Sequence, residues 1–477
     1  MIPQREQIER EDLVTFINAC FAATGQAEFY GSAGEQRVSI DFLHAYIAAN
    51  YRLLYARCLA AGINQFNRAL VVFNLLRLGA PKNPIERREE GALIRATLQD
   101  LPPPRVYRLF RRLRLERVNN RRARAVVREY LSARPKLAFD AVKYRSKLCA
   151  VARHIHLRLP EELGDFLFLG ADSRKAWNTS LLESFRQAKY SAAAAFDLPA
   201  TVAEGLSAQR GMDRKKFLER AEDQLTAGER LRLVCSAMEA GAKLDPLDLG
   251  LQPLTRLAIY LLSLPLEERQ AELQRYEEAL ARSAQRVARR LGRRPGRVAA
   301  VLDRSYSAVG SREKKNRPLA VALATSALLR SVYAEYRPFW TTPIEHETLV
   351  TPFGQTRLAA PLLEALAWRP ELVVVVSDGF ENDPPGGAAE LVRVYRQRLD
   401  PQGLTSIVLL NPVFDSSTYM PRALGPSVPT VGLRDAEDAL TMIRFARFVD
   451  GSMPLHELER YLRGRSEALL AQDEEAA

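Results

Sequence analysis

Cysteine is scarce. The four thiols of this 477-residue chain, Cys20, Cys58, Cys149 and Cys235, stand far apart and form no Cys-x-x-Cys pair. That spacing excludes a disulfide frame and a zinc knuckle, and it leads to an expectation of buried free thiols in a reducing, cytoplasmic setting. Long apolar runs are missing as well: no stretch of 18 or more apolar residues occurs, whereas crossing a bilayer takes about 20. No membrane contact is therefore expected. The start, Met-Ile-Pro-Gln-Arg-Glu, lacks the basic end and apolar stretch of a secretory signal, so none is expected. The chain also has no Gly-x-x-x-x-Gly-Lys-Ser/Thr, His-Glu-x-x-His or Gly-x-Ser-x-Gly motif. Nucleotide hydrolysis, zinc proteolysis and serine-hydrolase chemistry have no support, and a non-enzyme is expected.

Acidic residues are missing most unevenly. Between Arg105 and Arg158 there are 17 Lys and Arg but only three acids, Glu116, Glu129 and Asp140, a balance of +14 against +12 for the whole chain. The remainder therefore sums to −2. A merely solvated helical face mixes both signs. One-signed charge on this scale is the footprint of a polyanion partner. A second cluster, Arg282, Arg286, Arg289, Arg290, Arg293, Arg294 and Arg297, contains no acid. Tyr107, Tyr130 and Tyr144 are interleaved with the first set of cations and either stack on bases or face the core. His154 and His156 are two positions apart, on different faces of a helix, which suits hydrogen bonding to backbone or phosphate better than a shared metal.

What is present is a clear order of elements. Helical spacing of apolar residues runs through 41–59, 64–78, 85–98, 105–115, 123–131 and 137–144, and on to 267–291, with prolines between and no strand pattern. Short helices stacked in sequence make an α-solenoid. The expected division is a helical module over 1–291, a basic linker Gly-Arg-Arg-Pro-Gly over 292–297, an α/β domain over 298–452, and a helix with an acidic tail over 453–477. In the α/β part, strands are expected at 298–302, 372–377, 405–410 and 428–432, alternating with helices at 317–334, 357–367, 388–398 and 435–448. That alternation predicts a doubly wound parallel sheet with ligands at the carboxyl ends of its strands. Arg337-Pro338-Phe339-Trp340 suits only an edge strand or a strand start.

Three loops at that edge carry hard oxygen donors. The apolar run from Val298 ends in Asp303, Ser305 and Ser307; Gly354-Gln355-Thr356 precedes a helix; and Leu372–Ser377 ends at Asp378. Magnesium takes octahedral oxygen ligands and keeps several waters, so two carboxylates and some hydroxyls suffice. The plainer reading of Ser307 is a helix cap. Arg304 could also pair with Asp378 and take the place of an ion.

The set Asp303, Ser305, Ser307, Thr356 and Asp378 resembles the metal-ion-dependent adhesion site (MIDAS) of von Willebrand factor A domains. A helical array joined to such a domain is similar to the Ro ribonucleoprotein family, whose helical part is the TROVE module. Further patches carry the likeness: Phe21-Ala-Ala-Thr-Gly-Gln-Ala-Glu-Phe-Tyr30, Arg122-Ala-Arg-Ala-Val-Val-Arg128, Ala141-Val-Lys-Tyr-Arg145, Arg153-His-Ile-His-Leu-Arg158 and Ala439-Leu-Thr-Met-Ile-Arg-Phe445. The resemblance implies a HEAT-like helical ring bridged by the A domain, with magnesium or another divalent cation in the adhesion site. It also implies a small structured noncoding RNA (Y-RNA-like) on a basic face, and ends of misfolded RNA in the central hole. RNA contacts are then expected from Arg121, Arg122, Arg124, Arg128, Lys143, Arg145, Lys147, Arg153, His156 and Arg158, in a ribonucleoprotein with one protein chain. The family's Gly-Trp-Ser-His group is missing, although Lys147 keeps a cation near that point. A second reading stays open: an adaptor whose metal site grips an acidic side chain of a nuclease, an ATPase or a defence component, without RNA.

Overall fold

Five parallel strands run through the second half of the chain: β1 (Arg294–Leu302), β2 (Tyr333–Trp340), β3 (Leu372–Val376), β4 (Ser406–Asn411) and β5 (Thr430–Gly432), in the order β2-β1-β3-β4-β5. A parallel sheet is covered on both faces, so its inner strands read as unbroken apolar runs, as Val298–Leu302 and Leu372–Val376 do. Alternate residues serve opposite faces. Val301, Val373, Val375, Ile407 and Leu409 pack on Leu362, Leu366 and Val392 from the helices Ala359–Ala367 and Gly387–Arg398. The buried helix Arg317–Val332 packs against β1 and against the helices Leu254–Ser263 and Leu273–Leu291. β2 is an edge strand, which is why Pro338 is tolerated in it opposite Ala300.

The structure, a computed structural model, describes residues 4–242, 244 and 248–476. Two compact units emerge, one of residues 1–67 with 248–466 and the other of 68–247 with 467–477. This division differs from the expected one in two ways. First, β1 already begins at Arg294, inside the expected linker. A bulge lies between Arg294 and Arg297, Gly296 has φ +111°, and Arg297 pairs with Glu335 at 3.0 Å.

Second, the first 67 residues and 248–291 belong with the sheet rather than with a separate helical module. The helix Gln4–Ala22 lies along β5, and Asn18 acts as a short substitute strand. Its amide donates to the Thr430 carbonyl at 2.8 Å, and its side-chain oxygen accepts from the Gly432 N–H at 2.7 Å. An uncovered strand edge invites pairing with another chain, and this helix covers it. The approach leaves no room for a Cβ at Gly432, which would come within 2.8 Å of the Asn18 carbonyl oxygen. The helical pattern expected over 41–59 breaks at Tyr51, between Ala33–Asn50 and Arg52–Arg57.

The other unit is the expected stack of short helices, including Pro84–Asp100, Pro103–Leu115, Arg121–Ser132, Leu137–Lys143 and Arg145–His154. Helix starts follow capping rules: Asn83 and Asn120 accept from the N–H groups of Ile85 and Ala123, and Pro84 and Pro103 fill first-turn positions that lack an N–H partner. Pro84–Asp100 packs on Arg121–Ser132, and Pro103–Leu115 on Arg145–His154. Tyr107 and Tyr130 are buried and Tyr144 is half-buried, with Tyr107 and Tyr144 ring to ring at 5.1 Å and the Tyr107 hydroxyl donating to Asp140 at 3.0 Å. Their role is in the core, so the base-stacking alternative for Tyr107 and Tyr130 is withdrawn. Cys20 and Cys58 are buried and Cys149 half-buried; Cys235 and the acidic tail at 473–475 lie outside the described side chains.

Candidate functional site

In the strand order β2-β1-β3 the chain leaves β1 toward one side and returns on the other, so the crevice above β1 and β3 is the switch point where open sheets bind ligands. The register Leu302 opposite Val376 brings Asp303 and Ser377 level at that edge, and the Asp303 N–H donates to the Val376 carbonyl at 3.0 Å. One Asp303 carboxylate oxygen accepts from the Ser305 N–H at 2.8 Å and the other from the Ser377 hydroxyl at 2.7 Å. The Ser305 and Ser307 hydroxyls lie 3.1 Å apart, and Ser307, Asp303 and Asp378 line one small cavity. The 353–356 loop is drawn against the first loop by the N–H groups of Tyr306, donating to the Gly354 carbonyl, and Phe353, donating to that of Arg304, at 3.0 and 2.6 Å. The Thr356 carbonyl in turn accepts from the N–H of Asn382 at 3.1 Å, which ties this loop to the third one. All five expected ligands are buried.

Burial pushes the Asp303 carboxyl up from its ordinary range, against the opposing hydrogen bonds from Ser305 and Ser377. Burial, and then the charge of Asp303, push Asp378 up as well. Two buried carboxylates, of which only Asp378 feels a cation, that of Arg422, with hydroxyls beside them, form a donor set short of positive charge. Arg304 does not supply that charge. Its guanidinium points away from Asp378, donating to the Thr351 carbonyl at 3.0 Å and lying 5.7 Å from the Phe353 ring centre. The residues present therefore fit a hard divalent cation: oxygen donors, two carboxylates, and no Cys or His among them. Sequence reasoning had not singled out Ser377, which precedes the expected Asp378. Gly379 is held at φ +77°, and a Cβ there would lie 2.6 Å from the Arg422 carbonyl oxygen, so only glycine fits that turn.

In the helical unit, the three acids of the basic segment are all engaged in internal contacts. Glu116 pairs with Arg112 at 2.8 Å, Glu129 with Arg95 at 3.6 Å, and Asp140 with Arg134 at 2.7 Å. The expected RNA contacts divide accordingly. Arg121, Arg124 and Arg128 fall at i, i+3 and i+7 on one face of their helix, with Arg121 and Arg128 exposed and Arg124 half-buried; Arg153, His156 and Arg158 are exposed too. Others are engaged internally. Arg122 pairs with the buried Glu90 and donates to the Gly79 carbonyl at 2.9 Å. Lys143 lies 3.6 Å from Glu229, and Arg145 donates to the Phe166 carbonyl at 3.1 Å and rests against that ring. These three have partners within the chain. Lys147 is half-buried, and its ammonium is pushed below the usual range by burial and then by Arg108 and Arg111. Arg108 and Arg111 are exposed on the helix packed against that of Lys147, so the three form a cationic group that helix spacing alone had not singled out. In the second basic cluster, Arg282 pairs with Asp248 at 3.3 Å, Arg286 donates to the Gln252 carbonyl at 2.7 Å, and Arg297 is held by Glu335.

No protein-family model matches this sequence, and no curated protein matches it significantly. Among solved structures, the Ro (RSR) protein of Deinococcus radiodurans has a similar fold at 14% identity, with a TM-score of 0.51 over 86% of this chain and 93% of that one. The likeness agrees with the resemblance to the Ro family read from the sequence, and at this identity it establishes the fold: mostly helical, with a five-stranded parallel sheet toward the C-terminus. No described helix is long and apolar enough to cross a membrane.

Proposed function

We propose that this chain, which shares the fold of the Deinococcus radiodurans Ro protein, is an RNA-binding scaffold that holds a small structured noncoding RNA on its basic helices and serves RNA stabilisation or quality control. One observation carries the reading: each of the three acids between Arg105 and Arg158 is paired with an arginine of this chain, Asp140 in the core and Glu116 and Glu129 at the surface, while Arg108, Arg111, Arg121, Arg128, Arg153 and Arg158 present exposed positive charge that outnumbers them. Phosphate contacts from such groups release counterions and account for much of nucleic-acid affinity. The metal-site residues Asp303, Ser305, Ser307, Thr356 and Asp378 hold magnesium in this reading. When bound, the ion supplies an open coordination position for an oxyanion such as a partner protein's carboxylate.

The test is a fluorescence-anisotropy titration of a stem-loop RNA at several salt concentrations, with wild type and the charge-reversed Arg108→Glu/Arg111→Glu/Lys147→Glu protein. Weaker binding and a shallower dependence of log affinity on log salt are expected. Equal binding by both proteins at every salt concentration sinks the scaffold reading and leaves the metal-dependent adaptor in its place.

A further inference from the structure

A further loop meets the carboxyl edge of the sheet, and it holds none of the expected ligands. β4 lies beside β3, and the register Val376 opposite Leu410 sets Asn411 level with Ser377. The buried Asn411 amide ties the two loops together, donating to the Asp378 carbonyl and to the Arg422 carbonyl at 3.0 Å each. Within the loop the Asp415 N–H donates to the Met420 carbonyl at 3.2 Å. From outside it, Gln36 and Ser39 of the helix Ala33–Asn50 donate to the carbonyls of Phe414 and Ser416 at 2.9 and 2.8 Å. The loop after β4 is therefore fixed from three directions, and its end is held against the turn of Asp378.

That end carries Arg422. Its guanidinium carbon lies 3.5 Å from the centre of the Phe380 ring, which meets the Tyr30 ring at 4.4 Å. Phe380 is itself bound to the site, its N–H donating to the Asp378 carboxylate at 3.0 Å. A guanidinium offers five donors in a fixed fork that matches a carboxylate. Among the described residues Arg422 makes one side-chain hydrogen bond, a long one of 3.3 Å from Nη2 to Asp415, and its Nε has no partner. The side chain is 42% exposed, where an ion pair of this length contributes little to stability. Burial and Asp303 push the Asp378 carboxyl up, and Arg422 draws it back.

A divalent ion with an open position takes any oxyanion, so selection has to come from the protein around it. We propose that Arg422 is the specificity-determining residue for that position, its unused donors holding the second oxygen of a carboxylate that approaches the ion. The proposal rests on the metal reading given above and adds to it a residue from the loop after β4. A cation so placed acts oppositely on the two partners of the site, repelling the metal ion and attracting the anion. A merely structural arginine would weaken both or neither.

Manganese is titrated into the full chain while water-proton relaxation is followed, for wild type, Arg422→Gln, Arg422→Lys and Asp303→Ala. Acetate is then titrated into the loaded protein, with ionic strength held constant by chloride. Acetate displaces exchanging water and is expected to lower the relaxivity of the wild type. In Arg422→Gln the acetate concentration giving half of that fall should rise about 5- to 10-fold, as for loss of one charge-assisted hydrogen bond at a half-exposed position, with manganese affinity unchanged or higher. Arg422→Lys keeps the charge and should fall between the two. A wild-type relaxivity that acetate does not change, or equal acetate curves for wild type and Arg422→Gln, overturns the proposal while the metal site stands. Loss of manganese affinity in Arg422→Gln overturns it too, because the arginine would then be a support of the Asp378 turn. If wild type binds no manganese, or Asp303→Ala binds it equally well, the metal reading itself fails and this proposal falls with it.

Discussion

Arg121 and Arg122 are neighbours on one helix, and their replacement should have opposite consequences. Arg122 has a side chain only 13% exposed, paired with Glu90 at 1% exposure. Removing one partner of a buried pair leaves the other charge uncompensated, at a cost of about 3–5 kcal/mol. Arg122→Ala should therefore lower the urea midpoint of the helical unit while leaving the salt dependence of RNA binding close to wild type. Arg121 and Arg128 are exposed one helical face apart from that pair, and surface substitutions usually change stability by less than about 0.5 kcal/mol. If each neutralises one phosphate, Arg121→Ala/Arg128→Ala should make the log-log salt slope shallower by about 1.4–1.8, at roughly 0.7–0.9 per contact. Between 50 and 200 mM salt that amounts to about a tenfold smaller loss of affinity. Circular dichroism in urea and anisotropy across salt read the two effects separately. A normal urea midpoint for Arg122→Ala together with a flattened salt slope would refute the partition of these arginines into internal and external groups.

Asp303→Ala should abolish manganese binding by calorimetry while the helical unit keeps its circular-dichroism signature, since one of two carboxylates is lost. Arg304→Gln should leave manganese affinity unchanged, because the guanidinium binds Thr351; tighter binding in the variant would show that Arg304 competes with the ion. Gly379→Ala should lose about 1–2 kcal/mol of stability from the left-handed backbone alone, and more from its approach to the Arg422 carbonyl, with weakened manganese binding. An unchanged melting curve and metal affinity would contradict the geometry of that turn.

The sheet and its ligand edge were legible because each inner strand is a short apolar run that stops at a polar residue, as Leu302 gives way to Asp303 and Val376 to Ser377. Strand ends are local signals. β2 was legible only as an edge, because Pro338 forbids an interior position. The partition of the arginines was not legible, since the carboxylate that engages Arg122 lies 32 residues earlier on another helix. The same holds for the tyrosines: helical spacing allowed either a core or a stacking role, and the partner that decides for Tyr107 is Asp140, 33 residues on. The start of β1 at Arg294, inside the expected linker, has a related reason. Glycine and proline mark a local turn, and in this chain they mark a bulge inside β1.

The N-terminal 67 residues show what helical periodicity alone does not carry. Their period is that of the helical unit, but their function is to complete the sheet. Asn18 covers the β5 edge, the Phe21 ring meets Phe445 at 5.0 Å, Glu28 engages Lys314, and the Ala27 carbonyl accepts from the Ser311 hydroxyl. Each contact spans more than 250 residues of sequence, so none leaves a local trace. It follows that residues 1–291 alone would leave Asn18, Phe21 and Glu28 without these partners, and that 298–452 alone would expose the β5 edge and leave Lys314 without Glu28. The unit that contains the sheet and its carboxylate-bearing edge is assembled from both ends of the chain, and the loop closure this requires is recovered only when both segments are present.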